Sequence, residues 1–311
     1  MKKVYIDGQA GTTGLQIHER LAMRKDIELL EIDPALRKDE NERKKLMRQA
    51  DLVFLCLPDQ VAKQAALWME DMDTRIIDAS TAHRTNPNWV YGFPELSQEQ
   101  KENIQHAKCV ANPGCHASGF IALVQPLVTH GLLDANVKLT AFSLTGYSGG
   151  GKAIIEDYEQ HCTIDMRSPK PYALNLSHKH LPEMKAICQL EQTPLFVPIV
   201  DDFKQGMLVQ VFIDANDLHH PNSSMPIGVN ELVNFYQSIY QESPIQVYAG
   251  ENALYTSTLA GLDKMEIFVN GNENGFVLSA RFDNLGKGAS GAAVQNMNLM
   301  LGLDEYQGLH L

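Results

Sequence analysis

Cysteine is scarce in this chain and never clustered. The five cysteines, at positions 56, 109, 115, 162 and 188, are odd in number and widely scattered, with no CxxC pair. A disulfide framework and a zinc site are therefore not expected, no metal is assigned, and a reducing cytoplasm fits the usage. No apolar run is long enough to span a membrane. The start, Met1 to Gly8, has no secretory h-region and enters a strand at once. Basic residues are in deficit, 26 Lys and Arg against 38 Asp and Glu, for a net charge of −12. That argues against nucleic-acid binding. It also means that an anionic substrate needs a local cluster of Arg or Lys to enter a site. Internal repeats, low-complexity segments and long linkers are missing as well.

What remains is globular: 311 residues, 44% apolar and 21% charged. That is too long for one typical core, so two domains are expected. Through the first half, strand and helix patterns alternate: strand at Val4–Ile6, helix at Thr13–Met23, strand at Ile27–Ile32, a charged helix at Glu40–Gln49. The continuous apolar run Leu52–Leu57 suits a parallel strand covered on both faces. A helix at Gln60–Met69 and a strand at Arg75–Asp78 follow. This alternation predicts a doubly wound parallel sheet. After residue 135 the period changes to two, at Val137–Leu144, Met207–Ile213 and Phe276–Phe282. Those stretches predict longer, antiparallel strands with one buried face. A helix is expected over Ile227–Gln241, and a closing helix over Gly288–Leu303. The fold class is α/β, with a second α+β part.

The densest chemical signal is Val110–Ser118, in which a Pro113-Gly114 turn places Cys115 directly before an apolar helical pattern. The positive end of a helix favours thiolate over thiol, and the thiolate is the nucleophile. The plainer alternative is a buried structural cysteine. Cys56, Cys109 and Cys188 lie in or beside apolar runs and read as packing residues.

Gly8, Gly11, Thr12, Thr13 and Gly14 follow the first strand and open the first helix. Glycines there permit a tight turn and close approach to a pyrophosphate, which then faces the helix N-terminus. The spacing is GxxGxxG rather than the commoner GxGxxG. About twenty residues on, Asp33 can accept from a ribose hydroxyl, as in NAD sites, whereas Arg37 and Lys38 can hold a 2′-phosphate; the residues leave NAD against NADP open. Ser177–Glu183 carries two histidines, His178 and His180, able to move a proton near neutral pH. On an extended segment they point to opposite sides, so one of them is expected to face the cysteine. Gly146–Lys152 offers backbone amides, Ser148, Gly149 and Lys152 to a phosphate or carboxylate, without a full P-loop signature. Arg84, just past the carboxyl end of the Arg75–Asp78 strand, is a candidate anion clamp.

Together these pieces describe one reaction. A thiolate attacks an activated acyl group, phosphate leaves, hydride from a nicotinamide reduces the thioester, and a histidine handles the proton. The motifs GQAGTTG, DASTAHR, YGFPEL, NPGC, GYSGGGK, HKHLPE and DNLGKGASGAAVQNMN resemble, over essentially the whole chain, the short form of the N-acetyl-gamma-glutamyl-phosphate reductase family of arginine biosynthesis. The resemblance implies NADP(H), a Rossmann domain over 1–115 and 286–311 completed by the C-terminal helix, and an inserted catalytic and oligomerisation domain over 116–285. It implies reduction of N-acetyl-L-glutamyl 5-phosphate to N-acetyl-L-glutamate 5-semialdehyde by a cytoplasmic homo-oligomer, a dimer or tetramer. Cys115 takes the nucleophile's place. The catalytic histidine falls in HKH, with His180 favoured over His178 because it directly precedes Leu181-Pro182-Glu183. Gly286–Gly291, with Gly288, and Asn296 fall where the last helix approaches the nicotinamide. Asn112 and Glu183 join Arg84, Ser148, Gly149 and Lys152 as substrate-binding candidates. The sequence departs from the family pattern at His116, where many relatives carry tyrosine, and at Lys152, where longer members often carry arginine. Aspartate-semialdehyde dehydrogenase, a related acyl-phosphate reductase and a non-catalytic NADP-binding sensor are the competing readings.

Overall fold

The computed structural model describes residues 1–221 and 225–311. The chain divides into two units, one of residues 1–114 with 289–309, the other of residues 115–288 with 310–311. The first unit runs β1 (Lys2–Asp7), α1 (Thr12–Ala22), β2 (Ile27–Leu30), α2 (Glu40–Gln49), β3 (Leu52–Leu55), α3 (Asp59–Trp68), β4 (Arg75–Asp78), β5 (Val90–Tyr91), α4 (Gln98–His106) and β6 (Cys109–Ala111). All six strands pair in parallel, in the order β2-β1-β3-β4-β6-β5. Period-two alternation sends the strands' side chains to two cores. Val4, Ile6, Leu52 and Phe54 pack with Ile17 and Leu21 of α1. Tyr5, Val53 and Leu55 pack with Leu46 and Met47 of α2 and Ala62 and Ala65 of α3. This is the doubly wound sheet that the alternation predicts. Its strand order turns between β1 and β3, and such sheets take ligands beyond the carboxyl ends at that point.

The second unit holds α5 (Cys115–Thr129), β7 (Thr140–Gly146), α6 (Lys152–Gln160), β8 (Lys170–Pro171), α7 (Leu181–Ile187), β9 (Leu195–Asp201), β10 (Met207–Asp214), α8 (Val229–Ile239), β11 (Ile245–Ala249), β12 (Met265–Asn272) and β13 (Gly275–Phe282). Its seven-stranded sheet runs β11-β12-β13-β10-β7-β9-β8. The pairing is mostly antiparallel, with β7·β9 and β11·β12 parallel. Helix α5 lies so close to the sheet that a Cβ on Gly119 would stand 2.6 Å from a methyl of Val209. Pro126 lies inside α5 and has no N–H for the Ala122 carbonyl; the hydroxyl of Tyr240, the C-cap of α8, donates to that carbonyl instead, at 2.7 Å.

The chain then re-enters the first unit through α9 (Gly291–Leu301). Ten of its eleven residues are buried, so the helix has no solvent face and its polar residues need partners. Gln295 donates to Glu95 at 2.7 Å and Asn298 to the Glu305 carbonyl at 3.0 Å.

Several boundaries differ from the periodicity. The Val137–Leu144 strand begins only at Thr140, because Val137 closes a turn onto the Asp134 carbonyl. The Leu52–Leu57 strand ends at Leu55, where the chain turns into α3 at Pro58. The Ile227–Gln241 helix starts after Gly228. The closing helix opens as a wide π turn at Gly286–Ser290 and stops at Gly302, which takes the left-handed conformation, φ 66°, of a glycine C-cap.

Candidate active site

In the first unit the glycine turn joins β1 to α1. Gly8 has φ 92°, and a Cβ there would stand 2.2 Å from the Cys56 carbonyl oxygen. A Cβ on Gly14 would meet the Gly8 carbonyl at 2.6 Å. Gly8 needs glycine to lie against the residue that follows β3, and Gly14 to lie against the loop's own backbone, whereas Gly11 has room. Thr12 and Thr13 open α1, which has neither an acidic residue in its first turn nor a side-chain cap. Its first amides are thus left to an anion. Asp33 is exposed and closes a turn by accepting from the Ala35 amide at 2.8 Å. Arg37 and Lys38 follow, exposed and with no side-chain partner among the described residues. A loop shaped by glycine and bare helix amides fit the pyrophosphate of a dinucleotide.

The other first-unit candidates are built into the protein. Arg84 is buried; its Nε donates to the Asn112 carbonyl at 2.9 Å and a terminal nitrogen to the Ala79 carbonyl at 3.1 Å. It braces the ends of β4 and β6. The Asn112 amide donates to the Ala289 carbonyl at 3.1 Å. Asn296 is fully buried, and its amide donates to the Gly92 carbonyl at 2.9 Å and to the Asn112 side chain at 3.2 Å. These three residues hold the Asn112 turn that leads to the cysteine.

In the second unit Cys115 is the first residue of α5 and lines a cleft of about 330 Å³. Thr145, Gly149, Lys170, Tyr172, His178 and Lys179 are also in the cleft wall. Burial pushes the thiols of Cys56, Cys109 and Cys188 above the ordinary range, so those three stay protonated. Gly288 abuts the nucleophile candidate: a Cβ there would stand 3.0 Å from that of Cys115. Asp283 and Asn284 tie the surrounding loops together. Asp283 accepts from the Leu285 and Gly286 amides at 2.7 and 3.0 Å, and Asn284 donates to Ser148 Oγ at 3.0 Å. Ser148 is therefore engaged in the scaffold, while Gly149 remains in the cleft wall. Lys152 opens α6 and is exposed. Glu183 is buried in the first turn of α7.

The two histidines do not sit on an extended segment. They flank a turn, the His180 amide donates to His178 Nδ1 at 3.2 Å, and the rings lie 4.8 Å apart. Both pack on His116, at 5.2 and 5.5 Å, rather than pointing to opposite sides. His116 is buried; burial first, then His178 and Lys179, lowers its pKa to about 3, so it is neutral. Its Nδ1 lies 2.9 Å from Ser143 Oγ and its Nε2 3.0 Å from the Tyr172 hydroxyl. The Tyr172 pKa is raised by burial and by the Cys115 charge, so the phenol keeps its proton. Sequence reasoning passed over Lys170, Tyr172, Lys179 and Ser143. Lys179 was legible inside HKH. Lys170 and Tyr172 arrive only because β8 pairs with β9 at the sheet edge. Among the described residues no group of three or more His, Cys, Asp and Glu could hold a metal ion, and no helix is long and apolar enough to cross a membrane.

The chain matches two family models. Residues 9–104 match the semialdehyde dehydrogenase NAD binding domain, and residues 115–284 the semialdehyde dehydrogenase dimerisation domain. It is 43% identical over 319 residues to N-acetyl-gamma-glutamyl-phosphate reductase 2 of Nostoc sp., covering 99% of both chains. It is 46% identical over 307 residues to N-acetyl-gamma-glutamyl-phosphate reductase of Brucella ovis, covering 96% of this chain and 99% of that one. Its fold is shared with aspartate semialdehyde dehydrogenase II of Vibrio cholerae, solved in complex with ASA, at TM-score 0.70 and 15% identity, covering 97% and 98% of the two chains. The Candida albicans aspartate semialdehyde dehydrogenase, solved with NADP, gives TM-score 0.69 at 15% identity, again over 97% and 98%.

Proposed function

This chain belongs to the N-acetyl-gamma-glutamyl-phosphate reductase family, and we propose that it reduces N-acetyl-L-glutamyl 5-phosphate to N-acetyl-L-glutamate 5-semialdehyde with release of phosphate, a step of arginine biosynthesis. The observation that carries the reading is Cys115 at the N-terminus of α5 in a cleft that also presents Lys170 and Lys179. In a chain of net charge −12, two cations beside a nucleophile favour an anionic acyl donor.

The chain's own residues account for the covalent chemistry. The Cys115 thiolate attacks the acyl carbon; a C–S bond forms and the carbonyl pair moves to oxygen. That pair then returns, the C–O bond to phosphate breaks, and a thioester remains. A nicotinamide cofactor, when bound, supplies the hydride that reduces the thioester. His180 gives a proton to the resulting thiohemiacetal oxygen and takes it back as the C–S bond breaks and the aldehyde leaves. His178 lines the cleft with Cys115 and His180 lies behind it, but the hydrogen bonding favours His180 for the proton. The His178 Nδ1 lone pair accepts the His180 amide, and a proton there would set two N–H groups face to face.

Arg37 and Lys38, with no side-chain partner among the described residues, favour NADP(H) over NAD, since a 2′-phosphate adds negative charge where they stand. The outer face of the seven-stranded sheet, where Phe142, Leu144, Val197, Ile199 and Phe212 are exposed or half-buried side by side, supports a homo-oligomer. A reactive thiolate beside four other free cysteines suits a reducing cytoplasm.

The test is the reverse reaction, NADP reduction with N-acetyl-glutamate semialdehyde and phosphate, run beside aspartate semialdehyde. Phosphate-dependent turnover with the acetylated substrate, lost in Cys115→Ser, supports the reading. Preference for aspartate semialdehyde moves the chain to that neighbouring activity. Tight cofactor binding without turnover on either points to a carrier-bound acyl phosphate or a sensor.

A further inference from the structure

A second group beside the nucleophile follows from the proton positions in a short buried relay. Ser143 is wholly buried on β7, and among the described residues its hydroxyl has one partner, Nδ1 of His116 at 2.9 Å. A buried hydroxyl in that position donates. If it accepted instead, its own hydrogen would lie in the core with no acceptor, and an unsatisfied buried donor is costly. Nδ1 of the neutral imidazole is therefore the acceptor nitrogen, and Nε2 carries the hydrogen. Nε2 lies 3.0 Å from the Tyr172 oxygen, so His116 donates to Tyr172. The phenolic hydrogen is then left to point elsewhere. Tyr172 is only partly buried and lines the same cleft as Cys115.

We propose that Tyr172 is a further catalytic residue, whose O–H donates to the acyl oxygen as Cys115 adds to the substrate, and that Ser143 and His116 are positioning residues that orient it. The proposal rests on the acyl-phosphate reading above. When the C–S bond forms, the carbonyl pair becomes an oxyanion. A donor already aimed at that oxygen stabilises it more than it stabilises the ground-state carbonyl. No proton changes hands: Tyr172 keeps its hydrogen through addition and collapse, and its upward-shifted pKa agrees with this.

Two measurements on the full-length protein test it. The first needs no substrate. Nitrogen NMR on ring-labelled histidine, with the His116 signal identified by its loss in His116→Gln, reads the tautomer. The hydrogen on Nε2 is expected; a hydrogen on Nδ1 overturns the relay. The second is steady-state kinetics of Tyr172→Phe, which keeps the ring. One oxyanion donor is worth about 10²–10³ in kcat, so a loss of that size at nearly constant KM is expected, with the alkylation rate of Cys115 maintained. Adding Ser143→Ala to Tyr172→Phe should then cost nothing more, because the relay has nothing left to orient. Activity of Tyr172→Phe close to wild type, or fully additive losses in the double variant, overturns the proposal. If the wild type itself fails to turn over the acetylated substrate, the substrate reading has failed, and the tautomer measurement still decides the relay.

Discussion

At the scale of single residues, His116 makes the protein's acid sensitivity predictable. Burial lowers its pKa from the ordinary 6.5 to about 3. Between those values the unfolded chain binds a proton that the folded chain refuses, so stability rises with pH across the window. The contribution is complete above 6.5 and is lost as pH falls toward about 3. Among the described residues, His178, His180 and Tyr172 pack against it and the Lys179 charge acts on it. Denaturant unfolding above the window and midway through it should show a smaller acid loss in His116→Phe than in wild type; equal losses would assign the acid sensitivity to other groups. The histidine pair gives a kinetic prediction. His180→Asn should lower kcat by about 10²–10⁴ while leaving Cys115 alkylation intact, and a larger loss in His178→Asn would transfer the proton role to that ring. Cys115 was legible because a turn pair and an apolar helical period bracket it locally. The histidine geometry was not, because an i, i+2 pair reads as opposed only if the segment is extended, and here it is a turn.

At the scale of elements, the most local signals were the most legible. The glycine loop, the parallel sheet over the first half, α2 and the long strands β10 and β13 all follow from period and turn chemistry. Two-residue strands such as β5 and β8 carry no periodic signal, and pairings such as β7·β9 or β11·β12 depend on crossovers that no window of sequence contains. The proline within α5 shows the same limit: Pro126 reads as a helix breaker, yet the helix continues because Tyr240 and Tyr236, more than a hundred residues on, donate to the Ala122 and Leu123 carbonyls. Tyr240→Phe leaves the Ala122 carbonyl unpaired in the core and should cost about 1–3 kcal/mol. Pro126→Ala restores a backbone donor to that carbonyl, so Pro126→Ala in the Tyr240→Phe background should recover most of the loss in denaturant unfolding. No recovery would mean that Tyr240 contributes by packing rather than through this bond.

At the scale of the whole molecule, the proposed homo-oligomer turns on the outer face of the seven-stranded sheet. Strand alternation places Ala141, Ser143, Val209 and Val211 on the face under α5, and leaves Phe142, Leu144, Phe212, Val197 and Ile199 on the other. The Phe142 and Phe212 rings lie 5.7 Å apart, tilted by 32°, and Phe212 is 40% exposed. A contiguous apolar patch of this kind is what the proposed homo-oligomer would cover. A second copy suits it, since the residues that match the dimerisation-domain model, 115–284, contain this sheet. In a two-fold pairing the same patch meets itself, so one charge per chain introduces two like charges into one dry interface. Phe212→Lys should therefore reduce the light-scattering mass to that of a single chain while the far-ultraviolet spectrum stays that of a folded protein. If wild type already scatters as one chain, the face has no copy upon it; if Phe212→Lys leaves an oligomer intact, the copies meet through another surface.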